Sequence, residues 1–261
     1  MIPRLLFQTY PTRELPSRLA ESVDRNLLNA QGWHYQRYSD DDIVHFIGAH
    51  YGTRMLRRYL SISAEYGAAR ADFFRYLLVF ARGGVYLDIK TAVTRPLSEV
   101  IAPSDTFLLG QWCDCGEDRC LDWGQYPETA PFGGEFQQWF IAASPGHPFL
   151  KAVLRQVCRN IDLYLPALQG TGKPGVLRVT GPIAYTKAIA PLMTSTPHRR
   201  VRSHTDLGLA YSVFDDIEAH YKLFRRHYSS FQTPIVCIGR LRSALNHLAT
   251  FARDRKRSGF R

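Results

Sequence analysis

A chain of 261 residues with 45% hydrophobic content is long enough for one large α/β domain, or two small ones, and can bury a core. No window approaches the roughly 18 to 20 continuous apolar residues of a membrane span, and the opening MIPRLLFQTYP lacks the apolar core and cleavage site of a signal peptide. The net charge of +10 implies an anionic partner, but no zinc-finger, RNA-recognition or helix-turn-helix signature points to nucleic acid, so none is expected. Five cysteines cannot all pair, and without a leader they favour free thiols in a reducing cytoplasm.

The first predicted element is a buried strand in IPRLLFQTYP, with Pro3 and Pro11 at its ends and Gln8 and Thr9 at its carboxyl end. Those two polar side chains either meet a ligand or satisfy loop backbone. Leu15 to Ala30 reads as an amphipathic helix, with Leu19, Val23 and Leu27 at four-residue steps. GWHYQRYS is a second strand. Ser39 then caps a helix at Asp40, Asp41 and Asp42, so the triple aspartate reads as a helix start rather than a metal site. Strand, helix, strand, helix is the alternation of a parallel-sheet nucleotide-binding fold.

The stretch from Ala71 to Leu97 organises the chain. Ala71, Phe74, Leu78 and Ala81 recur at helical steps, and Asp72 and Arg75 share one face. Gly83-Gly84 stops the helix, and Val85 to Ile89 follows as a strand whose alternation would put Tyr86, Asp88 and Lys90 on one side. A polar pair at the carboxyl end of a buried strand is where α/β proteins hold ligands. An incidental surface pair is the alternative at this point.

Thr106 to Gln111 is a further strand, and Cys113 to Tyr126 reads as a long loop. Cys113, Cys115 and Cys120 lack the spacing of a zinc site. Trp112, Trp123 and Tyr126 would suit stacking on a sugar ring, or packing beneath the loop. Trp139 to Ala143 is a strand, followed by a turn at Pro145-Gly146 and a helix from Phe149 that His147 starts. Thr180-Gly181-Pro182 opens a helix whose amides could receive an anion, though capping would explain the same residues. The chain from Arg199 to Phe214 looks strand-like, and His220 and His227 lie in a basic segment. The tail, 240–261, sets Leu241, Leu245, Leu248 and Phe251 on one helical face beside seven arginines and lysines among them Arg242 and Lys256. That is the pattern of an interfacial helix, or of a helix docked on its own domain.

The blocks ADFFRY, GGVYLDIK, QWFIAASPGHP and TGPIAYT, together with the opening strand, resemble the glycosyltransferases with a sugar-binding DXD motif. That family includes yeast-type α-1,6-mannosyltransferases and bacterial capsule and lipo-oligosaccharide transferases. The resemblance implies an α/β fold of the GT-A nucleotide-sugar-binding type over residues 1–239, with a mostly parallel central sheet flanked by helices. Residues 240–261 would be a basic amphipathic tail. The implied reaction is a retaining transfer of a hexose from a UDP- or GDP-linked donor to a glycan or lipid-linked acceptor in surface polysaccharide synthesis. A toxin-like protein glycosyltransferase and a catalytically degenerate sugar-nucleotide binder are the alternatives. Carried over by position, Asp72, Arg75, Asp88 and Lys90 are the catalytic set. Gln8, Thr9, Tyr76, Gly84, Tyr86, Thr180, Gly181 and His227 would line the nucleotide-sugar. A divalent cation, Mn²⁺ or Mg²⁺, would rest on Asp88 and His227. Lys90 stands where the family has the second aspartate, and its ammonium would neutralise the leaving diphosphate in place of part or all of the metal. The expected location is the cytoplasm, peripheral on the inner face of an anionic membrane through the tail.

Overall fold

The computed structural model describes residues 1–112, 123–213, 228–239, 242–246 and 248–250. Its elements follow the predicted alternation: β1 (Leu5–Thr9), α1 (Ser17–Leu28), β2 (His34–Tyr38), α2 (Asp40–Ser61), α3 (Gly67–Arg82) and β3 (Gly84–Leu87). After these come β4 (Ala92–Val93), α4 (Leu97–Val100), β5 (Phe107–Leu109), β6 (Phe140–Ala143), α5 (Pro148–Asp162) and α6 (Pro166–Gln169). The last are α7 (Gly172–Val179), α8 (Pro182–Ile189), β7 (Arg199–Arg200) and β8 (Leu209–Ala210).

Six strands form the central sheet in the order β2-β1-β3-β6-β5-β7. β1 runs parallel to β2 and β3, β5 runs parallel to β7, and β6 alone is reversed between β3 and β5. The carboxyl ends of β1, β3 and β5 therefore share one edge with the amino end of β6. β1, β3, β5 and β6 send alternate residues into two cores. Phe7, Tyr86, Ile141 and Phe107 join α2, α3 and α5 on one face. Leu6, Val85, Phe140 and Leu108 pack with Leu97, Val100 and Leu207 on the other.

Local chemistry fixes the ends of these elements. At α2 the Asp42 amide donates to Ser39 Oγ at 3.3 Å and the Ser39 amide donates to Asp42 Oδ2 at 3.0 Å, so the aspartate run is the predicted helix start. At α5 the Phe149 amide donates to His147 Nδ1 at 3.2 Å, the capping role expected of that histidine. Two glycines carry the chain from α3 into β3. Gly84 has φ +99°, and a Cβ there would lie 2.7 Å from the Leu5 carbonyl oxygen. No other residue lets β3 approach β1 so closely in that conformation.

Two expectations are adjusted. The strand-like reading of 199–214 holds in part among the described residues: β7 and β8 are two residues each, separated by a 3₁₀ turn at His204–Leu207 that Ser203 caps. The start of α8 is not an exposed anion site. Thr180 and Gly181 are buried, and the Gly181 amide donates to Val176 O at 2.8 Å.

Described residues of the tail dock on the domain. Arg242 donates to the carbonyls of Ile161 and Asp162 at 3.2 and 3.1 Å, and the Ala167 amide donates to Asn246 Oδ1 at 2.8 Å. Leu245 and Leu248 stay exposed. Among the described residues no helix is long and apolar enough to cross a membrane.

Candidate active site

Helix α3 carries Asp72 and Arg75 on the face that meets the carboxyl edge of the sheet, and β3 delivers Asp88 to the same point. Arg75 Nη2 lies 3.0 Å from Asp88 Oδ1 and 3.3 Å from Asp72 Oδ1. Its Nη1 donates to the Gln138 backbone and side-chain oxygens at 2.8 and 2.9 Å, and its guanidinium stacks 4.8 Å from the Tyr86 ring centre. Asp72 is equally occupied: Gln138 Nε2 donates to Oδ1 at 3.0 Å and Thr180 Oγ1 donates to Oδ2 at 3.0 Å. Tyr76, one residue beyond Arg75, donates to the Thr180 carbonyl at 2.9 Å.

Burial raises the Asp72 pKa, with Arg75 opposing it. For Arg75, burial works against the charge, but Asp88, Tyr86 and Asp72 outweigh it and hold the guanidinium ionised. Two buried ionic side chains of opposite sign survive in this way only because each is paired and hydrogen-bonded.

The other side of the corner comes from β1. The Tyr86 hydroxyl lies 2.9 Å from Thr9 Oγ1 and donates to Asp88 Oδ1 at 3.3 Å. Gln8 Nε2 donates to the Asp88 backbone carbonyl at 3.3 Å, and Tyr35 donates to Gln8 Oε1 at 3.1 Å. Gln8, Thr9, Tyr86 and Asp88 thus form one connected set across parallel strands.

Lys90 differs from its expected placement. β3 ends at Leu87, and Ile89 and Lys90 lie in a turn closed by the Thr91 amide donating to Asp88 O at 2.9 Å. Strand alternation therefore does not set its direction. Its ammonium sits 3.8 Å from the Tyr211 ring centre. Burial lowers its pKa, with the Asp88 carboxylate opposing and Arg75 adding to the fall.

The donor set does not fit a divalent cation among the described residues. Asp88 is the one motif carboxylate present, its Oδ1 is engaged by Arg75 and Tyr86, and the second motif position holds Lys90, whose ammonium rests on Tyr211. No group of three or more metal-type ligands occurs among the described residues. His220, His227, Cys113, Cys115 and Cys120 lie outside them.

Two residues central to this corner were not singled out from the sequence. Gln138 bridges Asp72 and Arg75. Its signal is its place two residues ahead of β6, the strand that starts at the site. Glu135 was passed over in PFGGE. It is a buried carboxyl that accepts from Trp112 Nε1 at 2.8 Å.

A buried carboxylate–guanidinium cluster lies at the carboxyl edge of a mostly parallel sheet, an architecture of the GT-A-like fold. Residues 16–108 match the family described as "Glycosyltransferase sugar-binding region containing DXD motif". The chain is similar to inositol phosphoceramide mannosyltransferase 1 of Schizosaccharomyces pombe, with 26% identity over 77% of this chain and 55% of the relative. The initiation-specific α-1,6-mannosyltransferase of Candida albicans is 32% identical over 48% of this chain and 35% of its own length. The chain spans about half or less of the length of these relatives. The solved structure titled PaToxG Glycosyltransferase superposes over 95% of this chain and 85% of its own, at TM-score 0.52 and 13% identity, which bears on the fold.

Proposed function

We propose that the chain is a retaining glycosyltransferase that moves a hexose from a UDP- or GDP-linked donor to a glycan or lipid-linked acceptor in surface polysaccharide synthesis. The observation that carries this reading is Asp88, held by Arg75 and Tyr86 where the carboxyl ends of β1 and β3 meet. A donor placed there meets Gln8 and Thr9 with its nucleoside and Asp88 with its sugar or ribose.

Asp72 and Arg75 would take donor hydroxyls by exchange. Gln138 and Thr180 are the neutral partners of Asp72 that a sugar hydroxyl would displace. Until then they keep Asp88 aimed. The developing charge on the nucleoside diphosphate falls to Lys90, which is beside Asp88 and carries a full positive charge when protonated. Where other members of the class use a divalent cation, that ion would supply the same charge.

A screen for donor hydrolysis across UDP- and GDP-sugars, with and without Mn²⁺, tests this. Turnover of at least one donor is expected, and turnover without added metal is expected from Lys90. No hydrolysis of any donor, with no diphosphate binding, overturns the assignment. Strictly metal-dependent diphosphate affinity removes the lysine role alone. Membrane-surface association on the cytoplasmic side belongs to the same proposal. It is supported by the exposed Leu245 and Leu248 and by the cations of the tail sequence.

A further inference from the structure

The edge that holds Asp88 continues beyond it. β5 ends there at Leu109, shortly before Trp112, and the reversed β6 starts there, so the approach segment 135–139 runs along the same edge. Alternate residues of that segment face opposite ways. Phe136 joins the first core and Gln138 reaches Asp72 and Arg75. Glu135, Gln137 and Trp139 face the other side, where Glu135 meets Trp112, Gln137 meets His204 at 3.0 Å, and the Trp139 ring packs 5.3 Å from His204. On that side three buried polar atoms have no hydrogen-bond partner among the described residues: Glu135 Oε2, Gln137 Oε1 and Trp139 Nε1. Buried polar atoms are otherwise nearly always paired.

An aromatic group surrounds them. Trp112 lies 5.1 Å from Trp123 and 5.1 Å from Tyr211 by ring centres, and Trp123 lies 5.5 Å from Tyr211. Trp112 is buried, but Trp123 is 38% exposed, so the group opens to solvent at that ring. The ammonium of Lys90 rests on Tyr211 and links this group to Asp88.

We propose that Glu135, Trp123 and Tyr211 form a second sugar subsite, which takes the acceptor on the Lys90 side of Asp88. The unpartnered oxygen of Glu135 accepts from a ring hydroxyl, and the exposed indole of Trp123 offers its face to the C–H side of the pyranose. The proposal rests on the glycosyltransferase reading above.

The carboxyl is built in place rather than left over. Its backbone amide donates to Gly124 O at 2.8 Å. Gly124 has φ +73°, and a Cβ there would lie 2.5 Å from Glu135 Cγ and 2.6 Å from Trp112 Cδ1, so backbone clamps both side chains. Burial pushes the Glu135 carboxyl up to about 7, with Trp112 and Lys173 opposing and Asp72 adding to the rise. A carboxyl held so far from water is stabilised by any hydroxyl that reaches it. A donor diphosphate on Lys90 and an acceptor ring on Trp123 would meet at Asp88, which is the order a transfer needs.

Ligand-observed saturation-transfer NMR on the full chain tests the subsite, using the methyl glycosides of mannose, glucose and galactose as probes, with and without UDP or GDP. At least one glycoside should bind saturably. Glu135→Gln should weaken it about tenfold or more, and Trp123→Ala, at a ring 38% exposed, should weaken it similarly while the melting temperature shows the variant folded. Equal affinity in wild type and Trp123→Ala overturns the proposal, as does the absence of binding by every glycoside. Nucleotide binding is read in the same samples. Its loss there would sink the nucleotide-sugar reading, while the glycoside result decides the subsite by itself.

Discussion

The two halves of the site edge are built on opposite principles. Around Arg75 every strong polar group is paired: Asp72 has Arg75, Gln138 and Thr180, and Asp88 has Arg75 and Tyr86. Around Trp112 polar groups are buried just as deeply, yet Glu135, Gln137 and Trp139 each keep an atom unpaired among the described residues. The first arrangement fixes a geometry. The second holds hydrogen-bonding capacity in reserve, at a cost of about 1–3 kcal/mol for each buried orphan. A satisfied cluster suits the orienting of a reactive group, whereas an unsatisfied one suits the reception of a ligand.

The contrast can be broken most severely at Arg75. Arg75→Ala leaves Asp72 and Asp88 without their cation, and unfolding measured in urea should lose about 3–5 kcal/mol, with donor turnover abolished. A loss under 1 kcal/mol would mean that the pairing does not hold the corner together.

Glu135 provides the pH test. Its carboxyl titrates at about 7 when folded against an ordinary value of 4.5. Below 4.5 both states are protonated, and above 7 both are ionised. Between them the folded state holds the extra proton, so stability falls as pH rises across that window and is flat beyond it. The size is up to about 3 kcal/mol. Glu135→Gln should remove this slope, so melting of wild type and variant should converge at pH 5 and separate at pH 8, with the variant the more stable there. Parallel pH profiles would contradict a carboxyl held out of water.

Thr180→Val tests the paired half more gently. It keeps the shape and removes one donor to a buried carboxylate, so a loss of about 1–3 kcal/mol is expected. The smallest effect on stability belongs to Lys90→Ala, which removes a cation–π contact of about 0.5–1 kcal/mol. There the expected readout is kinetic: kcat falls more than donor affinity, because the ammonium acts on the departing charge. Unchanged kcat would leave Lys90 with its contact to Tyr211 alone.

Much of this was legible in the linear chain. The helical steps of Ala71, Phe74 and Leu78, the double glycine and the β-forming run after it predict α3, the turn and β3. The aspartate run after Ser39 predicts a cap, and the cap is present. Asp72 and Arg75 share a face because helices bring every third and fourth residue together. The strand-like reading of 199–214 holds only at β7 and β8, because the capped turn at His204–Leu207 interrupts it. Alternation also put Lys90 beside Asp88 on a strand, when the strand had already ended at Leu87.

What the sequence alone determined, then, was the set of elements and the pairs within one turn or one strand, since local periodicity and capping govern these. Only tertiary structure decided that Gln138 and Thr180 serve Asp72, at separations of 66 and 108 residues. It also decided that Glu135 is buried beside Trp112 and that Lys90 rests on Tyr211. Those contacts depend on the reversal of β6 against β3 and on which helix covers which face. Chain closure over such distances leaves no local pattern to read, because the partners have only the packed core in common.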